Sequence, residues 1–135
     1  VIEVEARSEL PAERADLGAL AARARWACER LGVRRASLGL MILGPGEMAR
    51  INLETRGKAG PTDVLSFPID GAEALGDRPE ELPPPELGDI LICPDAAQEP
   101  LETLVIHGLL HLLGYDHEVD DGEMLALQDE LVASQ

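Results

Sequence analysis

The chain has 135 residues and a formal net charge of −15, a length that suits one domain with its own buried core and no need of disulfide staples. Hydrophobic residues make up 45% but aromatics only 2%, Trp26, Phe67 and Tyr115 standing alone, so the core must be built from Leu, Ile, Val and Ala. No apolar run is long enough to span a bilayer, and the acidic, alternating start "VIEVEARSEL" lacks the basic-then-apolar profile of a secretory signal.

In chain order, "VIEVEA" alternates as a half-buried strand does. From Asp16 to Leu31, Leu17, Leu20, Ala24, Ala27 and Leu31 share one face, which predicts an amphipathic helix with Asp16 as N-cap and Gly32 as the stop. "ASLGLMIL" reads as a strand and "GEMARINLETRG" as a short helix closed by Gly57. "DVLSFPI" is a strand between turn residues, and its Pro68 predicts an edge position or a bulge. "GAEALGDRPEELPPPE" is the clearest loop, "LGDILIC" another strand. Helices are expected from about Pro100 to Leu113, broken by Gly114, and from about Asp121 to Ala133. Strands and helices mix without regular alternation, so the fold class is α+β. Cys28 and Cys93 form no CxxC motif and are expected as free thiols in a reducing cytosol.

Charge is unevenly spread. Residues 1–69 carry ten basic and nine acidic side chains, whereas residues 70–135 carry seventeen acidic ones against Arg78 alone. A polyanion would therefore meet this protein on a surface built from the first half, where Arg34, Arg35, Arg50, Arg56 and Lys58 lie.

The densest chemical signal is "VIHGLLHLLGYDH", which holds every histidine of the chain: His107, His111 and His117. Four residues apart on a helix, His107 and His111 share a face. Gly114 can end that helix and turn the chain so that His117 returns to the same face. Three imidazoles so placed suit zinc, nickel, copper or iron. With no cysteine nearby, three neutral ligands leave one coordination position open for water, the pattern of a catalytic site. The spacing also matches zinc proteases that carry HExxHxxGxxH, but their glutamate base is replaced here by Gly108. A protease is thus a distant alternative.

"HGLLHLLGYDH", together with "NLETRGKAGPTDVLSFP" and "LGDILIC", resembles the signature of the YbeY family, bacterial metal-dependent endoribonucleases of ribosomal RNA maturation and ribosome quality control. The resemblance spans roughly residues 38 to 133. It implies one compact α+β domain over residues 1–135, with a small mixed sheet and a metal-bearing helix beside a groove. It also implies one zinc ion, or nickel or another first-row divalent metal, on His107, His111 and His117, with Arg56 and His107 carrying the catalytic role. The implied substrate is single-stranded RNA, above all precursor 16S ribosomal RNA, with the ribosome or its proteins as partners, a cytoplasmic location and no membrane. A ribosome-associated assembly factor whose metal mainly holds the fold is the alternative.

Three departures stand out. Thr55 replaces an aromatic that commonly precedes the arginine, the segment "PDAAQEPLETLVI" is short for the family, and Lys58 is the sole lysine. Arg56 offers phosphate a two-pronged fork of donors, although by position alone it is also a helix-end arginine facing the dipole. Asp116 is either a partner of a ligating imidazole or a turn residue. Asp63 and Ser66 are expected to serve loop and strand structure, Asp63 capping its own turn.

Overall fold

The computed structural model describes residues 1–70, 75 and 79–134. The first half of the loop expected over residues 71–86 lies largely outside the described residues, Arg78 with it; from Pro79 to Pro85 the chain makes turns and irregular backbone. The elements are β1 (Ile2–Ser8), α1 (Leu17–Arg30), β2 (Ala36–Ile42), α2 (Pro45–Arg56), β3 (Val64–Pro68), β4 (Glu86–Ile92), α3 (Leu101–Leu112) and α4 (Glu123–Ala133). Short 3-10 turns at Ala12–Arg14 and Pro94–Ala96 complete the path.

The strands form one mixed sheet in the order β1-β2-β4-β3. β1 pairs with β2 in parallel, β2 with β4 in parallel, and β3 runs antiparallel to β4. The α+β expectation holds. β3 is an edge strand that ends at Pro68, a residue unable to donate to a ladder and so tolerated there.

Register decides which side chains meet which layer. Leu40 pairs with Ile90 and Ile42 with Ile92, and all four are buried on the face that receives α1 and α3. α1 presents Leu20, Ala24, Ala27 and Cys28 to this core, and the Asp16 carboxylate accepts a hydrogen bond from the Ala19 amide at 3.0 Å, the expected N-cap. α3 buries Leu104, Val105, Ile106, Gly108, Leu109, Leu110 and Leu112, because the sheet, α1 and α4 enclose it on three sides. Each such leucine or isoleucine contributes roughly 1.5–3 kcal/mol, so α3 is held by packing far more than by propensity.

α2 belongs to a smaller second cluster, where Met48 packs with Leu43, Leu65 and Cys93. Cys28 and Cys93 are both buried and unpaired, in separate clusters. Burial, assisted by Glu29, pushes the Cys28 thiol up to about 12, so it is an inert core residue.

Candidate metal centre and its groove

α3 packs on the sheet too closely for a side chain at Gly108. A methyl group at Gly108 would stand 2.6 Å from Ile90 Cγ2, and the Gly108 carbonyl accepts a hydrogen bond from Ser66 Oγ at 3.1 Å. The helix is thereby fastened to β3 and β4 along this side. His107 and His111 are then presented at the rim of β3 and only partly buried. Gly108 itself faces the sheet, where no glutamate side chain fits, so the base of the zinc-protease pattern has neither a residue nor room.

Gly114, at φ +96°, ends α3 in a conformation that L side chains rarely adopt and sends the chain back. Asp116 stabilises the return: its Oδ1 accepts from the Glu118 amide at 2.9 Å. His117 arrives beside the other two histidines, with ring centroids 5.2 Å from His107 and 5.4 Å from His111.

The three histidines place their candidate ligand nitrogens within 4.8 Å of one another. The Nε2 atoms of His107 and His111 are 3.2 Å apart. Two nitrogens on one tetrahedral zinc, at about 2.0–2.1 Å each, stand about 3.4 Å apart, so this pair matches a shared ion closely. Electrostatics agree. His111 has its pKa lowered by burial first and by His107 and His117 next, against opposing effects from the Tyr115 backbone and Asp116. A neutral imidazole has the lone pair that a metal needs. The triad can hold a first-row divalent cation.

A groove of about 440 Å³ opens at this triad, lined also by Arg56, Thr62, Asp63, Ser66, Asp116 and Glu118. Arg56 is the last residue of α2, exposed, and ion-paired to no carboxylate among the described residues. Asp63 caps its own turn through the Val64 amide at 2.8 Å, as expected, and Ser66 serves the β3–α3 contact. Thr55 spends its hydroxyl on the Ile51 carbonyl at 2.7 Å.

The basic surface expected from the first half is smaller than its residue list. Arg50 is held by Glu47 and Glu54 on α2, and Arg35 donates to the Leu82 carbonyl at 2.8 Å. Both guanidinium groups are engaged within the fold.

One residue at the site was invisible to motif reasoning. Gln128 of α4 is 7% exposed and sets Oε1 2.7 Å from His107 Nδ1. Its signal in the sequence is a polar residue within an apolar helical stripe, between Met124 and Leu131.

Comparison with known proteins gives the chain its relatives. The model of the family described as endoribonuclease YbeY matches residues 21–135. A Mycobacterium sp. (strain KMS) endoribonuclease YbeY is 42% identical over 125 residues, covering 81% of this chain and 70% of its own. The Acidothermus cellulolyticus endoribonuclease YbeY is 39% identical, covering 82% and 78%. The Mycobacterium tuberculosis (strain CDC 1551 / Oshkosh) endoribonuclease YbeY is 40% identical, covering 97% and 81%. A Thermotoga maritima protein solved in solution superposes with a TM-score of 0.56 at 25% identity, over 96% of this chain and 86% of that one. The matched family and these relatives define a class of RNA-cleaving hydrolases. The chain belongs to the endoribonuclease YbeY family.

Proposed function

We propose that this protein, acting as one domain over residues 1–135, is a metal-dependent endoribonuclease that cuts single-stranded RNA. Its substrate in the cell is precursor 16S ribosomal RNA, and it works in the cytoplasm in contact with the ribosome, in ribosomal RNA maturation and quality control. The observation that carries the reading is the shared groove: three converging imidazoles and one guanidinium, unpaired among the described residues, line the same 440 Å³ space.

Phosphodiester cleavage loads negative charge onto the phosphoryl oxygens, and catalysis consists largely of groups waiting where that charge develops. Arg56 is such a group. With no carboxylate paired to it among the described residues, its planar fork can take two phosphoryl oxygens at once. His107, His111 and His117 are the proposed ligands of a zinc ion, or of nickel or another first-row divalent metal. Such an ion, when bound, supplies Lewis acidity and a water of lowered pKa. His107 thus has a catalytic part through the ion that it holds. Asp116 acts on His111 from the turn, favouring positive charge there through space.

The groove's own charge makes the metal a condition for RNA entry. Among the described residues that line it, Asp63, Asp116 and Glu118 oppose Arg56 alone, which leaves two negative charges facing a polyanion. A dication cancels them. Metal-stripped protein should therefore bind single-stranded RNA more weakly than metal-replete protein, as well as failing to cut it. Fluorescence anisotropy with a labelled oligoribonucleotide, beside a cleavage assay on the same samples, tests this. Unchanged binding with lost cleavage would remove the entry argument, and unchanged cleavage would remove the proposal.

A further inference from the structure

We infer that Gln128 is the positioning residue that fixes His107 for metal binding. The inference rests on the metal reading above and adds a residue, on a different helix, outside the three motif segments quoted above.

The His107 ring has two nitrogens with opposite surroundings. Its Nε2 faces His111 Nε2 at 3.2 Å, toward the point where the three ligand nitrogens converge. Its Nδ1 faces away, onto Gln128 at 2.7 Å. To give a lone pair to a cation through Nε2, a neutral imidazole must carry its proton on Nδ1, and that proton needs an acceptor. The Gln128 carboxamide oxygen is that acceptor. The side chain is 7% exposed, on a helix anchored by fully buried Met124 and by Leu131 at 4% exposure. The bond therefore selects the tautomer and the ring orientation together, before any ion arrives.

Burial of this glutamine argues for the same role. An amide inside an apolar stripe sacrifices contact with water, and leucine would fill the place without that cost. The polar end has no purpose in packing α4 that an apolar chain would not serve better. Its purpose is the ring it touches. Outer partners of metal-bound imidazoles commonly control affinity by about 10–100-fold.

The test compares Gln128→Leu and Gln128→Glu with the unaltered protein, all metal-stripped and titrated with zinc against a chromogenic chelator. Gln128→Leu keeps the volume and removes the acceptor; it should lower zinc affinity by about tenfold or more while metal-free thermal unfolding is unchanged or raised. Gln128→Glu restores an acceptor and should recover the affinity. The visible spectrum of the cobalt-loaded forms provides a second readout: it should broaden or shift in Gln128→Leu and return in Gln128→Glu. Equal zinc affinity and equal cobalt spectra in all three would overturn the assignment. So would a loss in both variants that follows their metal-free stability, which would make Gln128 a packing residue. Failure of the unaltered protein to take up zinc or cobalt is a separate outcome; it would sink the metal reading first and this inference with it.

Discussion

Arg56 gains its freedom from where it sits: the last residue of α2, just before Gly57 turns the chain at φ +68°, with the groove beside it and no ion pair to a carboxylate among the described residues. Arg56→Ala should lower RNA cleavage by about a hundredfold or more, the scale of losing one preorganised donor. Its thermal stability should barely move, because an exposed arginine usually contributes under about 1 kcal/mol. Arg56→Lys should recover little, since an ammonium has no fork. Equal cleavage rates for the protein and Arg56→Ala would strip the arginine of its role. His111 yields a pH prediction for the metal-free protein. Its folded pKa lies below its ordinary value, so on acidification the unfolded chain takes up this proton first. Stability from this group is full above about pH 6.5, the ordinary histidine value, and is lost as pH falls toward the lower folded pKa. Denaturant titrations of stripped protein across that window should show falling stability, and His111→Asn should flatten the slope. The histidines were legible in the sequence because a metal needs a fixed spacing, and spacing survives in one dimension. Gln128 and Asn52 were not. Asn52, 3% exposed, donates from Nδ2 to the Gly60 carbonyl at 2.9 Å and so ties down the loop after Arg56. A buried amide is recognised by its partner, and the partners lie on other segments.

Among the elements, α3 carries the most consequence. Its apolar composition announces a buried helix, but only the sheet explains why one position must lack a side chain. Gly108→Ala forces a methyl against Ile90 and should cost about 1–3 kcal/mol, lifting α3 from β3 and β4. Zinc affinity should fall with it, as the helix carries two of the three proposed ligands; calorimetry with and without zinc would show both. An alanine variant of unchanged melting temperature would mean that the close approach is not required. The strand and helix order was legible throughout the described residues because periodicity is local. α1, from Leu17 to Arg30, begins at its expected cap, and β3 lies at the edge that Pro68 implied. α4 begins at Glu123, two residues beyond the expected Asp121. The delay has a cause: Asp120 accepts from the Gly122 and Met124 amides, at 2.8 and 3.0 Å, and holds residues 120–122 in a turn. The pairing of β2 with β4 rather than with β3 was not legible, since nothing local distinguishes the two partners.

On the scale of the whole molecule, the net charge of −15 has to be reconciled with a polyanionic substrate. The list of first-half cations overstated the surface available to RNA, because Arg50 and Arg35 are occupied within the fold. What remains near the groove is Arg56, with Lys58 two residues on. Few phosphates can then be neutralised, so RNA affinity should be modest and should fall with rising salt along a shallow log–log slope. A steep slope, of the size given by many phosphate contacts, would require a basic surface that the described residues do not provide near the groove. The measurement closest to the central claim is the rate of single-stranded RNA cleavage as zinc is titrated into stripped protein, with bound metal counted by X-ray fluorescence on the same samples. The account predicts no cleavage without metal, a rate that climbs in proportion to occupancy, and a plateau at one ion per chain that His111→Ala does not reach. Cleavage that persists in stripped protein, or a fully occupied triad that leaves RNA intact, would contradict it.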